Sequence, residues 1–421
     1  MQSSNMSPVI LHLVKTTDGA SWALNQVREL KTLGNDIHVV LPDDCGHFIE
    51  QWRQTGATIH IANLHFDAAR LWMNKKKIDY LRRLVDTHRF DVIHSHFVGT
   101  TITMRLALNR YTIPKIFQVP GPLHLEHSVF RQWELLGSNK DDVWVGSSRY
   151  IVDLYKAIGI PNNRLFLSYY GNDYSSFSTS RNGFLRSRYS LDRDTVLVGN
   201  INYMYPPKFY LFQRIGTKAH ELVIDAISDA SRVNRNVKGV LVGGQWGKGT
   251  GYETSLRKRA LERSHGSVIM HGRMKPEDVA KTWGDFDIAV HAPISENCGG
   301  VIEPLLSGVP TIASSVGGIP EVIIDGLTGR LVPPLESDRL TDAIVECAND
   351  LEGHRQMATN GRRLVTRMFD VKRTAKEIHD IYRCVLGREQ RPSEFDVHAY
   401  LQEIGVWQQP DAGDVSAVVR T

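Results

Sequence analysis

The stretch HAPISENCGGVIEPLLSGVP, residues 291–310, combines residue types and spacing that can do chemistry. An apolar run ends near Ala292, a polar loop covers 295–300, and an apolar helix is expected to begin near Val301 and end at Gly308. Gly299 and Gly300 have no Cβ, so their backbone can approach a ligand closely. The unbonded N–H groups of a first helical turn point into the loop, and the helix dipole favours negative charge there. Such a loop can cradle a diphosphate or sugar hydroxyls without a metal. Glu303, one turn into the helix, can accept two hydrogen bonds from a ribose diol. The alternative is a tight turn at Gly299–Gly300 with Glu303 on a plain helix surface.

A strand must deliver such a loop and a helix must receive it, and the chain supplies this pair repeatedly. Short β-branched apolar runs alternate with amphipathic stretches: PVILHLV (8–14), IHVVL (37–41), DVIHSH (91–96), KIFQV (115–119), VWVG (143–146) and LFLSY (165–169). A polar segment, 175–193, reads as a linker. The series restarts with TVLVGNI (195–201), VKGVLVGG (237–244), SVIMHG (267–272), DIAVHA (287–292), VPTIAS (309–314) and GRLVPP (329–334). Apolar runs without strict alternation, separated by helical segments, suit parallel sheets covered on both faces. The reading is an α/β fold of two Rossmann-like, doubly wound domains facing across a cleft. Ligands belong beyond the carboxyl ends of the strands. The expected division is 1–190, 191–370, and a C-terminal segment 371–421. That segment is a helix crossing back, then a tail without an assignable signal.

Bulk properties bound the function. A chain of 421 residues exceeds one ordinary core, at ~150 residues per domain. With 42% hydrophobic and 23% charged residues it is not disordered. A net charge of +4 and pI ≈ 8.7 suit an anionic small ligand or an acidic membrane surface, but are too weak to argue for nucleic acid. Cys45, Cys298, Cys347 and Cys384 show no metal-like spacing, which suits a reduced, cytoplasmic protein. The opening MQSSNMSPVI lacks a signal-peptide pattern, and no apolar window is long enough for a spanning helix.

EPLLSGVP (303–310) and SVGGIPEVIIDGLTGRLVPP (315–334) resemble the donor-binding signature of the family-4 retaining glycosyltransferases, which have the GT-B fold. That resemblance implies transfer of a hexosyl group from a UDP- or GDP-sugar to an acceptor hydroxyl. It implies retention at the anomeric carbon, and no cofactor or metal. Its paired glutamates flank seven residues, whereas Glu296 and Glu303 here flank six. Either Glu296 remains the first carboxylate in a shorter loop, or Ser295 replaces it. The resemblance assigns Glu303 to the ribose, and Asn297, Cys298, Gly299 and Gly300 to the sugar and phosphates.

Other positions follow from the same resemblance. The family's Arg after the first strand of the second domain is Asn200 here, while Lys218 matches its Lys. Arg214 or Lys208, in the insertion YMYPPKFYLFQR (203–214), would supply the missing cation for the leaving diphosphate. Gly272 and Arg273 in HGRM would hold the base. Gly19 in TTDGAS (16–21) would contact a phosphate or the donor sugar, with Asp18 an N-cap alternative. His124 resembles the histidine directed at the reacting sugar, where it would donate a hydrogen bond. His94 and His96 look like strand-end residues that pack.

Other classes lack their marks. Asp192-Arg193-Asp194 precedes a strand rather than ending one, so it reads as a turn and not as a metal-binding Asp-x-Asp. Residues 15–21 carry no GxGxxG, and GGQWGKGTG (243–251) lacks the GK[ST] of a phosphate loop and reads as a flexible connection. RLWMNKKKIDYLRRL (70–84) can form a basic amphipathic helix on an anionic membrane or a solvated helix over the core. The partners expected are a nucleotide sugar and a carbohydrate or lipid-linked acceptor, in bacterial cell-surface polysaccharide or glycolipid synthesis. A small-molecule acceptor, a nucleotide-sugar epimerase and a non-catalytic nucleotide-sugar binder are the rivals.

Overall fold

A computed structural model describes residues 7–209 and 212–408. Parts of the 203–214 insertion and of the C-terminal tail therefore lie outside the described residues. The chain forms two compact units. The first comprises Met1–Tyr174, Ser295–Asn297 and Phe369–Glu394; the second comprises Ser175–Ile294, Cys298–Met368 and Phe395–Thr421.

The first unit holds strands β1 (Val9–Leu13), β2 (Asp36–Leu41), β3 (Thr58–Ile61), β4 (Val92–Ser95), β5 (Lys115–Val119), β6 (Asp142–Gly146) and β7 (Leu165–Leu167). Its helices are α1 (Ser21–Thr32), α2 (Ile49–Gln54), α3 (Asn74–Thr87), α4 (Val98–Leu108), α5 (Leu123–Glu126), α6 (Ser128–Leu135) and α7 (Arg149–Ala157). The second unit holds β8 (Val196–Ile201), β9 (Val237–Val242), β10 (Val268–Gly272), β11 (Ile288–His291), β12 (Thr311–Ser314) and β13 (Arg330–Val332). Its helices are α8 (Phe184–Arg188), α9 (His220–Val233), α10 (Gly251–Ser264), α11 (Pro276–Thr282), α12 (Gly299–Leu306), α13 (Ser337–Asn349) and α14 (Leu351–Met368). The chain then returns to the first unit as α15 (Val371–Val385) and to the second as α16 (Val397–Glu403).

Both sheets are parallel. Their strand orders are β3-β2-β1-β4-β5-β6-β7 and β10-β9-β8-β11-β12-β13. Each order reverses once, between β1 and β4 and between β8 and β11, and such switch points open a crevice at the carboxyl ends. The strands are largely apolar because most of their residues meet a core on one side or the other. Ile10 packs with Val27 of α1 and Ile378 of α15, whereas Leu11 and Leu13 pack with Leu81 of α3 and Met104 of α4. In the second unit Val198 packs with Ile227 of α9, while Leu197 meets Trp283 and Phe286.

Three details differ from the sequence reading. Strand β3 was not anticipated: TIHI is an edge strand with no fully buried residue, so its apolar signal is weak. Residues 175–190 belong to the second unit, not the first. Asp285 accepts backbone N–H bonds from Asn182, Gly183 and Leu185 at 2.7–3.0 Å, and Asp287 pairs with Arg181 and Arg186 at 2.6 Å each. The connection after β9 is not a loose one. Met204 pairs with Gln245, Trp246 N–H donates to the Met204 carbonyl, and the Gln245 side-chain oxygen caps α10 at Tyr252 N. The Asp192–Asp194 segment forms the turn before β8.

Candidate functional site

At the β8/β11 switch point the loop after β11 lies against the loop after β8. Ile294 N–H donates to the Thr217 carbonyl at 3.0 Å, and the Asn202 amide meets His291 Nδ1 at 3.2 Å. On the other side Ser314 Oγ donates to the Pro293 carbonyl at 2.7 Å, and the buried Cys298 thiol donates to the Gly318 carbonyl at 3.3 Å. Cys298 thus turns its side chain inward and offers only its backbone to a ligand. Helix α12 begins at Gly299, two residues earlier than the apolar pattern suggested, because the glycines continue the helical backbone.

The two glycines do different work. A Cβ on Gly300 would lie 2.0 Å from His291 Nε2, so that position is dictated by ring packing rather than by a ligand. A Cβ on Gly299 would meet nothing within 4 Å, so the open space at the helix start lies there. Glu303 Oε2 accepts a 3.0 Å hydrogen bond from Trp283 Nε1, which orients the carboxylate. Burial raises this carboxyl above its ordinary range, and the indole bond opposes the rise.

The cations sort themselves by burial. Asn200, at the family's arginine position, is fully buried; its amide N–H donates to the Val290 carbonyl at 2.8 Å, and its Oδ1 is buried without a partner. Lys218 immediately precedes Ala219, whose left-handed backbone (φ 47°) opens α9. Lys208 is half-buried, and its ammonium is pushed below the usual lysine value by burial and by the Lys218 charge. The two like charges repel, and a bound anion would offset that repulsion. Arg214 is exposed and stands apart from this pair in burial. Gly272 ends β10 with φ 92°, a backbone that suits glycine, and its carbonyl accepts from Gly243 N. The Arg273 guanidinium donates to the Gln245 carbonyl, so it braces the loop after β9.

In the first unit, Gly19 lies in the loop between β1 and α1. Asp18 does not cap α1: the cap residue is Ala20, and Asp18 Oδ1 accepts from His47 N at 2.8 Å. His124 sits in α5 beyond β5. Burial, then the Arg105 charge, lowers it to about 3, so it is neutral at ordinary pH. The Gly121 carbonyl accepts from the ring, and Nε2 is buried without a partner. A neutral ring in that tautomer offers Nε2 as an acceptor, whereas the sequence reading expected a donor. Within this unit Ser295 Oγ donates to Glu126 Oε2 at 2.7 Å, and the Asn297 amide donates to Ser147 Oγ at 2.9 Å. Glu296 Oε1 accepts from Asn297 N at 3.0 Å, a bond that turns this oxygen back on its own loop.

Residues 203–364 match the family described as Glycosyl transferases group 1, and residues 19–175 match Glycosyltransferase Family 4. The chain belongs to the family-4 type of glycosyltransferases, with the GT-B fold. It is 26% identical over 165 residues to lipopolysaccharide 1,2-N-acetylglucosaminetransferase of Salmonella typhimurium, covering 38% of this chain and 43% of that protein. It is also 26% identical over 281 residues to D-inositol 3-phosphate glycosyltransferase of Frankia alni, covering 61% and 65%. The chain thus spans less than two thirds of the length of either relative. The Anabaena protein HepE, solved with UDP and glucose, has the same fold, with a TM-score of 0.73 at 18% identity over 88% of this chain and 98% of that one.

Two sets of histidines in this glycosyltransferase lie outside the sequence-derived site. His220, the first residue of α9, is fully buried with both ring nitrogens unpartnered. Burial, then the charges of Lys218 and His291, lowers it to about 3. Its signal was adjacency to Lys218 in TKAHEL. In the first unit His12, His94 and His96 converge at the β1/β4 switch point, with one nitrogen of each within 4.8 Å of the others. Hydrogen bonding accounts for them in one direction. Tyr170 O–H donates to the Gln118 carbonyl, so His96 Nδ1 donates to Tyr170. His12 Nδ1 then donates to His96 Nε2 at 2.8 Å, Tyr382 O–H to His12 Nε2, and His94 Nδ1 to Tyr382. Two nitrogens on one tetrahedral zinc stand about 3.3 Å apart, so the 2.8 Å contact is a hydrogen bond and does not fit a shared ion.

Proposed function

We propose that this glycosyltransferase moves a hexosyl group from a UDP- or GDP-sugar to an acceptor hydroxyl, with retention and without a metal ion. The observation that carries the reading is the Ile294–Thr217 hydrogen bond. It ties the loop that leads into α12 to the residue before Lys218, which supports one anion site served by ammonium groups and helical N–H groups. Lys208 and Lys218 neutralise the leaving diphosphate as the bond between the anomeric carbon and the phosphate oxygen breaks. The acceptor oxygen forms the new bond, and its proton leaves with the diphosphate. Glu303, oriented by Trp283, accepts from the ribose diol. Gly272 and Arg273 shape the wall for the base, and the Asn297–Gly300 backbone holds sugar and phosphate. In the first unit, Gly19 and His124 are the positions that the family resemblance directs at the donor and the reacting sugar.

The Salmonella relative is a lipopolysaccharide N-acetylglucosaminetransferase, and HepE was solved with UDP. HepE supports a UDP-sugar donor, and the Salmonella relative supports a carbohydrate or lipid-linked acceptor of the bacterial cell surface. The Frankia relative supports a small phosphorylated polyol as the alternative acceptor.

A thermal-shift screen of nucleotide sugars identifies the donor, since saturation at a hundredfold excess over Kd stabilises by about 2.7 kcal/mol. With that donor, Glu303→Ala is expected to abolish most of the turnover, and EDTA to leave it unchanged. Activity of the variant within about twofold of wild type overturns the donor assignment. Conversion of the donor with no acceptor present favours the epimerase reading, and a stable donor complex without turnover favours a binding protein.

A further inference from the structure

The basic stretch 70–84 does not behave as a single amphipathic helix. The apolar side of α3 is spent on the core: Leu81, Leu84 and Val85 pack with Leu11, Leu13 and Val40, and Ile78 packs against the same cluster. The residues just before it do the opposite. Leu71, Trp72 and Met73 form a single helical turn with no buried member, at 61%, 73% and 39% exposure. Consecutive large apolar side chains displayed together are unusual on a protein surface.

The turn is held in this posture by a built clamp. Asn74 is buried; its amide donates to the carbonyls of Asp67 at 2.8 Å and Leu71 at 3.2 Å, and its Oδ1 accepts from Asp67 N at 2.8 Å. Asp67 Oδ1 accepts from Ala69 N and Arg70 N, and Asp67 Oδ2 from Arg70 Nε at 2.9 Å. Lys77 Nζ donates to the His65 carbonyl from the other side. A polar cage therefore orders a loop whose apolar side chains face solvent. Directly behind the tip, exposed Lys75 and Lys76 open α3, where no acid sits in the first turn and the helix dipole disfavours cations. Arg83 continues the exposed basic face, on which Asp79 and Asp86 also lie; Asp86 is engaged by the Tyr111 hydroxyl at 2.8 Å.

We propose that Leu71, Trp72 and Met73 are an interfacial anchor that docks this enzyme on an anionic lipid bilayer, with Lys75 and Lys76 at the phosphate headgroups. Tryptophan favours the headgroup boundary, and basic side chains beside it meet the negative surface potential. A projecting turn of three residues is far smaller than the ~20–30 residues a side of a stable protein interface. A bilayer needs only insertion of the tip, so charge and size both select lipid. The inference concerns where the proposed acceptor is met, and its binding test stands without the glycosyl-transfer reading.

The test uses the full chain in a flotation assay. Vesicles of phosphatidylcholine and phosphatidylglycerol in equal parts are compared with phosphatidylcholine alone. Wild type is expected to float with the anionic vesicles and to release on raising salt. The combined Leu71→Ser, Trp72→Ser, Met73→Ser variant should bind at least about tenfold more weakly. Lys75→Glu with Lys76→Glu should remove the preference for phosphatidylglycerol. Since all five side chains are exposed, both variants should keep the wild-type melting temperature and turnover on a water-soluble acceptor. Wild type remaining with the soluble fraction overturns the proposal, as does undiminished flotation of the triple-serine variant. So does a concentration-dependent dimer that the triple-serine variant abolishes, which would assign the turn to a second copy.

Discussion

At the scale of single residues, burial separates groups that composition treats alike. Lys208 and Arg214 lie in the same insertion and carry the same charge, but Lys208 is half-buried under the influence of Lys218 and Arg214 is exposed. Lys208→Ala should therefore lower kcat/KM by two or more orders of magnitude, roughly 3 kcal/mol of transition-state charge stabilisation, while Arg214→Ala stays within about twofold. Equal losses from the two variants, measured under single-turnover conditions, would remove the distinction. His124 carries the same lesson. The residue type was legible, yet whether it donates or accepts depended on the Gly121 carbonyl and an enclosed Nε2. Asn200 was legible only as a missing arginine; that its amide is locked to the Val290 carbonyl requires the neighbouring strand.

At the scale of elements, the β11–α12 connection is the informative one. Its two glycines look equivalent in sequence, and the helix geometry makes them opposite. Gly300→Ala places a methyl against the His291 ring, so the loop or the ring must shift, and a loss of about 2 kcal/mol is expected in urea denaturation. Gly299→Ala points into open space, so it should keep wild-type stability. If the donor occupies that space, the same variant weakens donor binding by at least about tenfold in titration calorimetry. Unchanged donor affinity would move the ligand away from the α12 start. Edge strand β3 shows the converse failure of pattern reading: four residues half open to water carry too little apolar signal to stand out from a loop.

Across the whole molecule, both units have the same doubly wound plan and fill their switch points differently. The β1/β4 crevice is packed with the hydrogen-bonded row of Tyr170, His96, His12, Tyr382 and His94. At the end of β11 in the other unit, His291 bears on the buried His220, which also feels Lys218, as does Lys208. Burial holds His12 and His220 at about 3 and His94 and His96 well below their ordinary value of 6.5. The unfolded chain takes up protons at these rings near pH 6.5 and the folded chain does not. Stability is thus fully present above pH 6.5 and declines as pH falls toward 3, with each ring adding a slope of up to about 1.4 kcal/mol per pH unit. A melting temperature that stays flat from pH 7 to pH 5 would contradict the neutral-histidine cores. The same network joins Tyr382 of α15 to β1 and β4, so Tyr382→Phe should cost about 1–3 kcal/mol by stranding His12 Nε2 and His94 Nδ1.

The sequence by itself determined the fold class and the family. Parallel strands buried on both faces must be apolar throughout, and a phosphate-binding strand–loop–helix needs small residues at set positions; both demands are local and leave a readable pattern. It also named the candidate donor residues, Gly19 in the first half of the chain and the set from Lys208 to Glu303 in the second. Only the tertiary structure decided what each could do. The division at Tyr174 rests on Asp285 and Asp287, about a hundred residues away in the chain from the segment they hold. The pairing of the Thr217 and Ile294 loops, the orientation of Glu303 by Trp283, and the split between Gly299 and Gly300 all arise between residues distant in sequence. Desolvation and close packing depend on what surrounds a group in space, and a linear pattern does not carry that information.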